Sequence, residues 1–501
     1  MNTDLTRRSL LRRTIAAGGL LGAGAVSPFG VVTRPARAAS AARVQADSRV
    51  STSRRFARWV TGLRYDDLPP AVVDRAQGVT LHAMASALLG SQLPAGRQAI
   101  DLITQDEAGF PRGGTLLVTG TRATKAGAVF ANAEMILAGG KWDTFRMLTH
   151  PGTCIVPAAL VAAEAEAASG EDFLAGLVAG YEVMERMAAD VIPTMMTRGF
   201  HAGPVFGIFG ATVAAGKIMG LTEDQMTNAI GLSVNLAAGN LESRGLRESA
   251  AARNALLAVA LARQGRTAGE TALEGEAGFY HAYLGNNRGQ LTHSFVGDTK
   301  TDLGLITAGL GDEWLFLETL YRIYSTAGYN IPHVDVTAQL CAEQNISYAD
   351  VDRVEAVVNW LETQYPSPAF PTRREDIGTA TRGSTRYYTA YGVVRRGFPL
   401  LADVPDPPEV LDLMNRVTII PSHEMTLFGP RITIFTKDGR NYTKQATGRE
   451  FIWDFDEEAR RIRDVVPGLP ISAARFEDLI AVCGDLDRAD RADRLIQLTV
   501  A

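Results

Sequence analysis

Glu171–Val191 reads EDFLAGLVAGYEVMERMAADV, and its apolar residues Leu174, Leu177, Val178, Tyr181, Met184 and Met187 return every three or four positions. That period predicts a helix with one buried stripe, because 3.6 residues complete a turn. The pattern extends outward on both sides. From Ser53 to about Ala308 the chain is alanine-rich and helical in period. Thr222 with Gln225 forms a capping box ahead of Ala229–Leu236. Gly207, Gly210, Ala211, Ala214 and Ala215 place small residues along a further helix, which suits close helix packing.

Near Trp314 the pattern changes. Val354–Val358 and Val417–Ile420 are β-rich, and Ile432–Phe435 leads through Lys437-Asp438-Gly439-Arg440 into Tyr442-Thr443, a hairpin signal. The proline-rich stretches Tyr365–Pro371 and Pro399–Pro408 read as loops. The expected fold is mainly α, with a discontinuous helical domain over 39–315 and 448–501 and a smaller inserted α/β domain over 316–447.

The N-terminus predicts export. Thr6-Arg7-Arg8-Ser9-Leu10-Leu11-Arg12, a Gly/Ala-rich apolar stretch and Ala36-Arg37-Ala38 have the form of a twin-arginine signal over 1–38. The apolar stretch is too short to span a bilayer, so no stable membrane insertion of the mature chain is expected. Removal of 1–38 leaves 44 basic and 54 acidic residues. Such a surface repels polyphosphate and disfavours nucleic acid. A small anionic substrate then needs a local cluster of cations. Cys154, Cys341 and Cys483 lie far apart without metal-type spacing, and they read as buried thiols. No metal or cofactor is expected.

The run Ala131-Asn132-Ala133 through Lys141-Trp142-Asp143-Thr144, then His150-Pro151-Gly152-Thr153, Gly199-Phe200-His201 and Ser384-Thr385-Arg386-Tyr387, resembles the active-site framework of the MmgE/PrpD family. The likeness continues through Leu221–Gln225, Gln264–Ala268 and Leu273–Phe279. It implies an all-helical domain with an inserted lid, a cleft between them, a homodimer, and cofactor-independent chemistry on small carboxylic acids. By resemblance His150, His201 and Tyr387 are the catalytic candidates. Histidine suits proton exchange near neutral pH, its ordinary pKa being ~6.5.

The departures carry information too. Relatives commonly read aspartate-phenylalanine-aspartate-aspartate-threonine where this chain has Gly140-Lys141-Trp142-Asp143-Thr144. Arg244 and Arg247 stand at a family lysine and histidine, and Arg322 stands at a second family lysine. Arginine holds its proton at all ordinary pH and clamps carboxylates, so it binds but does not shuttle. The substrate-binding candidates are therefore Thr144, Lys141, Arg244, Arg247 and Arg322, with Lys141 expected to pair with Asp143. The expected activity is a dehydratase-type lyase acting by histidine acid–base chemistry. Its alternatives are an isomerase or epimerase working at a carbon next to a carboxylate, and a silent carboxylate-binding homologue.

Overall fold

A computed structural model describes residues 50–243, 245–324, 326–364, 382–398, 405–464 and 468–500. The expected export signal and Arg244 lie outside the described residues. The fold is mainly helical, as expected.

The helices that frame the site are α1 (Pro70–Gly90), α2 (Lys125–Gly139), α3 (Gly152–Glu166), α4 (Gly170–Ala188), α5 (Ala202–Ile218), α6 (Glu223–Leu236) and α7 (Glu248–Arg263). Ser169 caps α4 by accepting from the Asp172 amide, and Thr222 and Gln225 form the expected capping box of α6. The reading of α4 as a one-striped helix is corrected: every residue from Phe173 to Ala188 is buried. Its charges are tolerated because each is engaged. Glu182 pairs with Arg186 and accepts from the amides of Leu315 and Phe316, and the Arg186 guanidinium donates to the carbonyls of Ala308, Gly309 and Glu313.

The small residues of α5 are used inside the chain. A Cβ on Gly207 would stand 2.6 Å from Cys154 Sγ, and one on Gly210 would stand 2.5 Å from Ile155 Cδ1. Both glycines admit α3 at short range. Gly207, Gly210, Ala211, Ala214 and Ala215 are all buried in this core, so close packing on this face supplies no argument for a dimer.

A short antiparallel ribbon joins β1 (Trp142–Thr144) to β2 (Leu320–Arg322), pairing Trp142 with Arg322 and Asp143 with Tyr321. Around β2, Phe316, Leu320, Tyr321, Ile323, Tyr329 and Ile331 pack in the helical core. A second core begins at Val336 and ends at Ala446. It covers a four-stranded sheet of order β4-β3-β5-β6, where β3 is Val351–Asn359, β4 is Val417–Ser422, β5 is Arg431–Thr436 and β6 is Asn441–Gln445. β3 runs parallel to β4 and antiparallel to β5. The expected hairpin forms between β5 and β6, with Gly439 at φ +85° in its turn. α8 (Ile331–Glu343) and α9 (Thr385–Arg395) pack together beside this sheet. The chain then returns: α10 (Phe455–Asp464) packs on α1, where the Asp74 carboxylate accepts from the Phe455 amide at 3.1 Å. Cys154, Cys341 and Cys483 are buried and free. Among the described residues no helix is long and apolar enough to cross a membrane.

Candidate active site

Asp143, in the middle of β1, is buried and ties that strand to two helices. Both its carboxylate oxygens lie 3.0 Å from the Gly152 amide at the start of α3, and Oδ2 accepts from the Tyr181 hydroxyl of α4 at 2.6 Å. The carboxylate thus meets orphan amide donors at a helix N-terminus, where negative charge is favoured. Burial still raises its pKa, against the opposing hydrogen bonds from Tyr181 and Gly152. A Cβ at position 152 would be 2.7 Å from the Tyr181 hydroxyl and 2.9 Å from Asp143 Oδ2, so the junction requires glycine.

Between these anchors the loop 145–149 folds tightly, with Arg146 at φ +54° and Leu148 at φ +60°. Left-handed backbone at non-glycine residues costs roughly 1–2 kcal/mol each, a strain that collects at functional sites. The loop delivers His150. Its Nδ1 lies 3.0 Å from the Asp143 carbonyl and 3.2 Å from Thr144 Oγ1. A carbonyl only accepts, so Nδ1 carries the hydrogen and Nε2 keeps the lone pair. The Trp142 ring lies 4.5 Å from the imidazole, and the Arg322 guanidinium lies 4.5 Å from the Trp142 ring. Burial first, then the positive charge of Arg322, holds the His150 pKa well below its ordinary value, with Arg247 and His201 adding to the effect.

His201 arrives from the other side, as the N-cap residue of α5. The turn before it uses Gly199 at φ +84°, and the His201 amide donates to the Gly239 carbonyl at 3.3 Å. Its Nε2 lies 3.1 Å from Arg247 Nη1. Guanidinium only donates, so Nε2 is the acceptor and the hydrogen resides on Nδ1. That Nδ1 is buried without a hydrogen-bond partner among the described residues. Burial and then Arg247 push the His201 pKa down to about 3. The two imidazoles are therefore neutral and oppositely protonated: His150 offers a lone pair at Nε2, and His201 offers a hydrogen at Nδ1.

Of the expected binders, Thr144, Arg247 and Arg322 gather at this pair of histidines. Lys141 lies beside Arg322, and burial followed by that charge lowers its pKa. The expected Lys141–Asp143 ion pair is not formed among the described residues. Asp143 instead turns inward, where the Tyr181 hydroxyl and the Gly152 amide supply its donors. Tyr387, the third catalytic candidate, has its hydroxyl already engaged. It is buried in the second core beside Tyr388 and Tyr391, and its hydroxyl donates to Asp406 Oδ1 at 2.6 Å. Burial and Asp406 raise its pKa, so it is a weak proton donor. Asn132, from the motif-bearing helix α2, is a structural clasp: it accepts from the Leu117 amide at 2.9 Å and donates to the Thr115 carbonyl at 3.1 Å.

Sequence reasoning passes over two residues that shape the site. Tyr181 is visible in the sequence only as one member of an apolar stripe. Glu248 is buried behind Arg247, and its sole signal is adjacency to that arginine.

Comparison with known proteins gives a consistent picture. Residues 54–292 match the MmgE/PrpD N-terminal domain. The chain is similar to the cis-aconitate decarboxylase-like protein oryM of Aspergillus oryzae, at 26% identity over 76% of this chain and 83% of that protein. It is also similar to a cis-aconitate decarboxylase of Aspergillus terreus, at 24% identity over 77% of this chain and 82% of the other. The cis-aconitate decarboxylase of Homo sapiens is 26% identical over 46% of this chain and 50% of its own length.

Proposed function

The chain belongs to the MmgE/PrpD family, and from that premise we propose that it is a lyase breaking a C–O or C–C bond next to a carboxylate of a small di- or tricarboxylic acid. The observation that carries this reading is the pair of oppositely protonated, neutral imidazoles, His150 and His201, set among Arg247, Arg322 and Lys141. A carbanion next to a carboxylate spreads charge onto the carboxylate oxygens, which become enolate-like. Fixed donors aimed at that charge supply the largest share of such catalysis.

In the elimination direction His150 Nε2 takes the proton from the carbon next to the carboxylate. The C–H electron pair becomes the new double bond, the C–O bond breaks, and the same imidazolium returns its proton to the leaving oxygen, releasing water. One base suffices because His201, clamped on Nε2 and neutral, acts as a hydrogen-bond donor to the developing charge and not as an imidazolium acid. In the decarboxylation direction the C–C electron pair takes the place of the C–H pair, carbon dioxide leaves, and His150 relays a solvent proton to carbon. Arg247, Arg322 and Lys141 hold the carboxylates, and bidentate arginine contacts fix their orientation. The relatives named as cis-aconitate decarboxylases support a tricarboxylate-sized substrate. The residues assigned to each step need no bound cofactor.

The test is proton NMR in deuterium oxide on a panel of di- and tricarboxylic acids that includes cis-aconitate. A lyase yields a product lacking water or carbon dioxide, and His150→Gln should lower turnover by roughly 10²–10⁴-fold. Deuterium entering recovered substrate with no bond broken would transfer the assignment to an isomerase. Tight binding without either outcome would make the chain a silent binder.

A further inference from the structure

Glu248 opens α7 with its side chain fully buried, and neither carboxylate oxygen has a hydrogen-bond partner among the described residues. An isolated buried carboxylate costs several kcal/mol, and each unsatisfied buried polar group asks for an explanation. Two contacts define its place. Arg247 Nε lies 3.5 Å from Oε2. A Cβ at Gly203, in the first turn of α5, would collide with Oε1, so glycine there makes room for the carboxylate. Glu248 therefore sits behind the helix start that carries His201, on the far edge of the guanidinium that reaches His201 with Nη1 at 3.1 Å. A guanidinium is planar, and Nε and Nη1 point in fixed directions from one plane. Anchoring Nε fixes where Nη1 points.

We propose that Glu248 is a positioning residue: its buried carboxylate holds Arg247 across His201 Nε2, and so keeps the His201 hydrogen on Nδ1, facing the reacting charge. The consequence for turnover rests on the lyase reading above. The clamp itself does not, because it is a property of the resting protein.

The experiment uses the mature chain labelled with 15N-histidine and reads the protonated nitrogen of His201 by long-range proton–nitrogen correlation, with His201→Gln identifying the signal. The unaltered protein should show hydrogen on Nδ1 across pH 5–8. In Glu248→Gln, which keeps the shape and removes the charge, the hydrogen should move to Nε2 or exchange between both nitrogens. Arg247→Lys keeps a charge beside Glu248 and removes the fork, and it should release the ring in the same way. Where a substrate is turned over, Glu248→Gln should lose kcat with little change in KM, by up to the ~10²–10³-fold seen when one oxyanion donor is removed, whereas Arg247→Lys, which also alters a carboxylate contact, should change both. The double variant should lose no more than Arg247→Lys alone. An unchanged Nδ1 signature in either folded variant overturns the proposal. Failure of both variants to fold also overturns it, by making Glu248 a packing residue. Absence of turnover on every substrate sinks the lyase reading and leaves the NMR result to decide the clamp.

Discussion

Removing the Tyr181 hydroxyl tests how the site is held in place. Tyr181→Phe deletes the 2.6 Å hydrogen bond to Asp143 Oδ2 and keeps the ring, which packs on Phe316 with centroids 4.6 Å apart. No cavity forms, so the loss is that of one buried hydrogen bond to a carboxylate, about 1.5–3 kcal/mol. Among the described residues Asp143 then keeps the Gly152 amide alone as a hydrogen-bond donor to its side chain. Tyr181 is the foremost group opposing the burial that raises the Asp143 pKa, so the variant carboxyl should protonate at still higher pH. The penalty should therefore be largest near neutrality and shrink as pH falls, since a protonated carboxyl has less need of the donor. Urea unfolding of both proteins at pH 7 and pH 5 measures this. Turnover should fall together with stability, because the Asp143 carbonyl is what fixes His150 Nδ1. A loss under about 0.5 kcal/mol at pH 7 would mean that Asp143 is satisfied without Tyr181 and that the anchor lies elsewhere.

Glu362 is buried with Oε1 accepting from the Phe428 amide at 2.7 Å, and burial lifts its pKa to about 8. The folded chain holds this proton after the unfolded chain, at about 4.3, has released it. Its contribution to stability is therefore complete below pH ~4.3 and is lost as pH rises through about 8, on the order of 3 kcal/mol by pH 7; Glu362→Gln should flatten that slope, and parallel urea curves for the two proteins would refute it. Arg322→Met should raise KM, and it should move the acid limb of the pH–rate profile upward, because Arg322 is the largest charge depressing the His150 pKa; an unmoved limb would separate the two residues. Arg7→Lys with Arg8→Lys should stop export of the chain, and unchanged secretion would remove the twin-arginine assignment. Light scattering at micromolar concentration should return a dimer, and a mass near that of one chain would exclude it.

The helical framework is legible in the sequence because burial period and capping chemistry are local. Thr222 and Gln225 declare a helix start within four residues, and the β5–β6 hairpin is declared by its turn. The full burial of α4 is not legible, because Glu182, Glu185 and Arg186 look like a solvated face until the loop 306–319 arrives, donating to the two glutamates from Leu315, Phe316 and Thr319 and accepting from Arg186 at its carbonyls. The same limit applies at the site. His150, His201, Arg247 and Arg322 come from four separated segments, and resemblance, not spacing, is what groups them. Tyr387 shows the converse: its motif stands out in the sequence, while the partner that occupies its hydroxyl, Asp406, lies within the proline-rich stretch Pro399–Pro408 with no signal of its own. Lys141 misleads for a simpler reason. A spacing of two suggests that Lys141 and Asp143 share a strand face, yet Lys141 lies just before the ribbon, after Gly140 at φ +71°, and the start of α3 draws Asp143 inward.

The arginines give the site its internal logic. A lysine beside an imidazole can exchange roles with it, since burial brings the two pKa values together. Arginine cannot, because it never gives up its proton. Once Arg247 donates to His201 Nε2, the only hydrogen left to His201 is on Nδ1, and its protonation would place two cations 3.1 Å apart. Arg322 lowers the basicity of His150 without occupying its Nε2, and a main-chain carbonyl holds His150 on the other tautomer with that lone pair free to take a proton. Arginine at positions where the resemblance places a lysine and a histidine thus narrows the exchangeable protons expected at this site to those of His150 and Lys141. A buried carboxylate then becomes useful behind the arginine and harmful in front of it, where it would repel an anionic substrate, and Glu248 is behind.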